Sequence, residues 1–79
     1  MSPTIHREKG YRFHFFSREE TRAHVHVISA SGEVKYWLTP EIELARNQNL
    51  TGAQLKEIES IIEDHYDEFK NAWKKYFNS

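Results

Sequence analysis

The stretch His24-Val25-His26-Val27-Ile28 decides how this chain folds. Side chains alternate across an extended strand, so Val25 and Val27 point one way while His24 and His26 point the other. The valines fix a buried face and set an imidazole pair on the opposite one. Before this strand, which runs over about 24–29, residues 11–16 read as another. Tyr11, Phe13 and Phe15 share one of its faces; Arg12, His14 and Phe16 share the other. Residues 17–23 form a charged loop between the two. After the central strand, Ser31-Gly32 reads as a two-residue hairpin turn in which Gly32 takes a positive φ. The third strand then covers 33–38. This register pairs Val27 with Tyr36, Val25 with Leu38 and His26 with Trp37, and adds Lys35 and Trp37 to the histidine face.

The flanks are read outward from this sheet. Thr4 and Ile5 can add a short fourth strand at the edge, while residues 6–10 look like a turn. Residues 39–50 are read as extended chain, with Asn47-Gln48-Asn49 as a loop. One long helix is expected over about 52–77. Thr51 and Gln54 have the spacing of a capping box, and Leu50 with Leu55 that of a hydrophobic staple. Leu55, Ile58, Ile62, Phe69, Trp73 and Tyr76 recur at helical steps and mark the buried stripe. Such a helix is about 40 Å long, and three short strands cover roughly 20 Å. Its last turns, with Trp73, Tyr76 and Phe77, are expected to overhang the sheet as an interface for a partner. The fold class is therefore α+β: a three-stranded antiparallel meander on one C-terminal helix.

Length and composition set the limits. Seventy-nine residues suffice for one domain, 1–79. Without cysteine the chain has no disulfide or thiolate ligand, which fits a reducing cytoplasm. Five phenylalanines, four tyrosines and two tryptophans must supply the stability instead. No apolar run approaches the roughly 20 residues that span a bilayer, and no signal-peptide pattern opens the chain, so no membrane partner is expected. The net charge of −1 hides a split: +2 through Leu38, where four of the five histidines lie, and −3 beyond it. A basic sheet suits an anionic ligand.

Four readings of the histidine face stay open. His14, His24 and His26 can form a three-nitrogen metal set, although no carboxylate shares their face to orient the rings. Alternatively, they can cleave RNA without metal, one imidazole taking the 2′-hydroxyl proton and another protonating the leaving oxygen. Arg12 and Lys35 would then hold the phosphate, with Trp37 and Phe16 stacking a base. The same face can bind nucleic acid or an acidic protein segment without catalysis. Finally, it can be an ordinary wet sheet face. His65, at the edge of the helix stripe, reads as a core histidine bonded to backbone. His6 has no partner that sequence can name. Neither a cofactor motif nor a nucleophile motif is present, so no cofactor and no metal ligand is assigned.

Several segments occur together and in order: Pro3-Thr4-Ile5, Tyr11-Arg12-Phe13 through Phe16-Ser17, His24-Val25-His26-Val27, Lys35-Tyr36-Trp37-Leu38-Thr39-Pro40, and Leu50-Thr51 before the helix. With these the chain resembles a small prokaryotic family, the domain of unknown function DUF4160. That resemblance implies a component of a toxin–antitoxin pair. It implies an RNA-directed toxin with a small cognate protein partner, or a homodimer, in the cytoplasm. The alternative is a non-catalytic binding module, including the antitoxin half of such a pair. It carries over no catalytic residues. Relatives are expected to have proline before the paired histidines, where this chain has Arg22-Ala23.

Overall fold

Val25 and Val27 are completely buried, and the fold is assembled over them. A computed structural model describes residues 4–15 and 22–77 of the chain. Five strands follow one another across a single antiparallel sheet: β1 (Thr4–Glu8), β2 (Tyr11–His14), β3 (His24–Ile28), β4 (Glu33–Trp37) and β5 (Glu43–Gln48). Two helices, α1 (Gly52–Asp64) and α2 (Tyr66–Phe77), complete the chain. The α+β class holds, with more strands and more helices than expected. Phe16 and most of the charged loop after it lie outside the described residues.

The core forms where the aromatic and aliphatic residues of one sheet face meet the helices. Tyr11, Phe13, Phe15, Val25, Val27, Val34, Tyr36 and Leu38 come from the sheet side, and Ile58, Ile61, Ile62, Phe69 and Trp73 from the helices. Two core tyrosines keep their hydroxyls satisfied. Tyr36 donates to Glu59 Oε2 at 2.7 Å and Tyr11 to Glu57 Oε1 at 2.8 Å, so each ties its strand to α1. Burial, followed by the bonded Glu59, pushes the Tyr36 phenol far above its ordinary value. A buried hydroxyl without such a partner would cost free energy comparable to the bond itself.

The β3–β4 register differs from the expected one by two residues. Val25 pairs with Tyr36, His26 with Lys35 and Val27 with Val34. The Ser29 N–H donates to the Gly32 carbonyl at 2.9 Å, so the two turn residues are Ala30 and Ser31. A two-residue slip leaves every side chain on its original face, which is why the face assignment survived. Gly32 is needed for space rather than for a positive φ. A Cβ there would collide with the Gln48 carbonyl oxygen of β5.

Three further expectations are corrected. The first strand begins at Thr4 and runs on to Glu8, so the expected turn contracts to Lys9-Gly10, both at positive φ. Part of the expected extended segment, including Asn47 and Gln48, is a full edge strand, β5, and all six of its residues are exposed. The single helix is broken at His65, where the backbone leaves helical geometry (φ −116°, ψ 22°). A straight helix of 26 residues would measure about 39 Å, while the molecule is only 35 Å along its longest axis. The break returns Phe69 and Trp73 to the core, and Tyr66 fastens α2 by donating to the Leu38 carbonyl. The helix start is as expected. Thr51 Oγ1 accepts from the Gln54 N–H at 3.1 Å, and Gln54 Oε1 accepts from the Thr51 N–H at 2.9 Å.

The Gly32 contact yields a direct test. Gly32→Ala must push β5 away from the hairpin or distort the turn, and overpacking of this kind costs about 1–3 kcal/mol. Urea unfolding should show a lower midpoint with an unchanged slope. An unaltered midpoint would mean that β5 does not pass against this turn.

Candidate nucleic-acid interface

Directly paired residues on antiparallel strands share a face. Arg7 of β1 pairs with Arg12 of β2, and Arg12 with Ile28 of β3. One row along, His14 pairs with His26, His26 with Lys35, and Lys35 with Arg46 of β5. In the next row, His24 pairs with Trp37 and Trp37 with Glu43. The face opposite the valine core therefore carries Arg7, Arg12, His26, Lys35 and Arg46 across all five strands. Its acidic members are Glu33 and Glu43, and Glu43 is already held by Arg22 at 3.0 Å.

The predicted histidines do come together. The His14 and His26 rings are 5.6 Å apart, and those of His24 and His26 are 5.1 Å apart. They are not equally available. His14 is 1% exposed and His24 is fully buried, while His26 is half-buried. His24 lies 4.8 Å from the Trp73 ring and 5.6 Å from that of Trp37. Its Nδ1–H donates to the Arg22 carbonyl at 2.8 Å, which fixes the tautomer. The expectation of three solvent-facing imidazoles is thus corrected: α2 closes over the end of the sheet and takes His24 with it. For His14, burial and then the nearby charges of His26 and Arg12 lower the ring from 6.5 to about 4. At neutral pH the ring is therefore neutral and is not a general acid.

Trp37 is also less open than a stacking platform would be. The Arg22 guanidinium lies 4.4 Å from its ring centre and Lys35 Nζ lies 4.5 Å from it, so two cations already use the ring. Arg22 is a residue the sequence reading missed. Its Nε–H donates to the Thr39 carbonyl at 2.6 Å, and its own carbonyl holds His24. Arg7 and Arg46 were missed as well, because their strands were not assigned over those positions. Phe16, proposed as a base-stacking residue, lies outside the described residues.

The expected aromatic overhang is corrected too. Trp73 is buried, 5.3 Å from the Phe15 ring, and Tyr76 is half-buried. Phe77, 37% exposed, remains the open member of the three, and among the described residues Leu44 on β5 is the other large apolar side chain in solvent, at 43%. No helix of the described residues is long and apolar enough to cross a membrane.

The His14 environment carries a sign that can be measured. Its folded value of about 4 lies below the ordinary 6.5 expected of the unfolded chain. Between these values the unfolded chain takes up a proton that the folded chain refuses. Its contribution is therefore fully present above the unfolded value and is lost as pH falls toward the folded one. The loss is on the order of 3 kcal/mol across that window. Urea titrations should show stability dropping with acid in the wild type and a flatter profile in His14→Gln. Equal acid sensitivity in both would show that His14 is not held neutral.

No curated protein and no solved structure matches this chain. A family model does, that of a domain of unknown function, DUF4160, over residues 10–74, a span that includes β2 through β5, α1 and most of α2. By that match the chain belongs to the DUF4160 family.

Proposed function

We propose that the chain binds RNA through the open face of its sheet, as one component of a toxin–antitoxin pair. The observation that carries this reading is the run of cations across five strands, Arg7, Arg12, Lys35 and Arg46 with His26 among them. Phosphate contacts of this kind supply most of the affinity for nucleic acid and make it salt-dependent. Single-stranded RNA suits a sheet face, whose spacing lets side chains follow an extended backbone.

The geometry favours binding over cleavage. General acid–base cleavage needs one imidazole that accepts a proton and a second that donates one, both within reach of the substrate. His24 is buried and bonded to backbone, and His14 is buried and neutral. His26 alone of the three is half-exposed, enough for one contact but not for a pair. The alternative, an RNA-cleaving toxin, requires His14 or His24 to become accessible on binding. A second small protein fits the same proposal. β5 is exposed along its length, and an exposed edge strand is a template for strand addition by a partner chain.

Fluorescence anisotropy with a labelled single-stranded RNA tests the reading. Affinity should fall steeply as salt rises, and Lys35→Glu with Arg46→Glu should weaken it at least about tenfold. The RNA should emerge intact. If it is cut, and His26→Ala or His14→Ala stops the cutting, the catalytic alternative replaces this one. If the charge reversals leave affinity unchanged, RNA does not bind this face.

A further inference from the structure

A second histidine cluster lies on the helix side of the sheet, away from the cationic face. His6 of β1 pairs with the core residue Phe13, so its ring turns toward α2. There it meets His65, the residue at which the helix breaks, with ring centres 4.3 Å apart. Two carboxylates complete the group. Glu8 Oε1 lies 2.8 Å from His6 Nε2 and 3.5 Å from His65 Nε2. On the far side of the second ring, Glu68 Oε1 accepts from the His65 Nδ1–H at 3.0 Å. Donor atoms of His6, His65 and Glu68 all fall within 4.8 Å of one another. All four residues are at least partly open to solvent, so an ion can reach them.

We propose that this cluster is a zinc site, with His6 Nε2, His65 Nε2 and the Glu8 carboxylate as ligands and Glu68 as the group that orients His65. Zinc takes imidazole and carboxylate donors at about 2.0–2.2 Å in tetrahedral geometry, which places neighbouring ligand atoms roughly 3.3 Å apart. The two distances from Glu8 Oε1 to the imidazole nitrogens, 2.8 and 3.5 Å, straddle that spacing. Three ligands leave the fourth position to water. Glu68 on Nδ1 is the arrangement that metal-bound histidines generally show, a carboxylate accepting from the ring's other nitrogen. The phenyl ring of Phe69, stacked on His65 at 5.8 Å and 15°, and that of Phe13 wall the site on its inner side. Bound zinc would clip the edge strand β1 to the junction of α1 and α2, two parts of the chain nearly sixty residues apart in sequence. It would also account for a helix break that neither proline nor glycine marks.

The test uses the full chain after chelator treatment, with ZnCl2 and CoCl2 as the probes, at about pH 8, where protons compete little with the metal for imidazole. Zinc should bind one-to-one by calorimetry and raise Tm by about 10 °C at a hundredfold excess over Kd. Cobalt should give the visible absorption of a four-coordinate site. His6→Gln with His65→Gln, shown folded by circular dichroism, should abolish both signals. Glu68→Gln should weaken binding about 10- to 100-fold. His26→Gln, on the opposite face, should leave the zinc-dependent Tm rise and the cobalt band as in the wild type. The proposal is overturned if the wild type shows neither the Tm rise nor the cobalt band. Equally, it is overturned if the signals persist in the double variant, or if they vanish in His26→Gln and so belong to the sheet histidines.

Discussion

The structure depends on a one-sided sheet. β3 must bury Val25 and Val27 against the helices while His24 and His26 stand behind them, and a strand's two-residue period allows no compromise between these demands. Slipping by one residue would drive two imidazoles into the core and two valines out of it. Each neighbouring strand repeats the division: Phe13 and Phe15 against Arg12 and His14, Val34 and Tyr36 against Lys35 and Trp37. The cations collect on one face because the core claims the other. The face proposed for RNA binding is thus a by-product of how the core is built, and its residues stand on a paired backbone.

The helices cover more than a single rod could. Broken at His65, the C-terminal segment turns and carries Trp73 onto both Phe15 and His24, sealing the end of the sheet across its two faces. This closure changes the chemistry available behind it. His24 is packed against the Trp73 indole and bonded to the Arg22 carbonyl, so it serves as a structural member. With His14 held neutral, arginine and lysine carry the charge of the face.

Much of this was legible in the chain, and for definite reasons. Alternation in His24–Ile28 gave the strand and its faces, and Thr51 with Gln54 gave the helix start because capping chemistry is local. The hairpin register was missed by two because Ser31-Gly32 imitates a turn signal, while the glycine actually makes room for Gln48. β5 is legible only as extended chain, and its last two residues read as loop: Glu43-Leu44-Ala45-Arg46-Asn47-Gln48 lies exposed at an edge, where no burial forces a pattern. The helix break had no sequence mark, since neither proline nor glycine stands at His65. His6 and His65 could not be matched before the fold, because their meeting depends on β1 being a strand and on that same break.

RNA binding as proposed engages the cationic sheet face and not the helices. Amide and imidazole chemical-shift mapping during titration with a single-stranded RNA tests it most directly. Perturbations should concentrate at Arg7, Arg12, His26, Lys35 and Arg46, with the outer residues of α1 such as Lys56 and Glu63 unmoved. Perturbations confined to α1 and α2, with the sheet face silent, would contradict it.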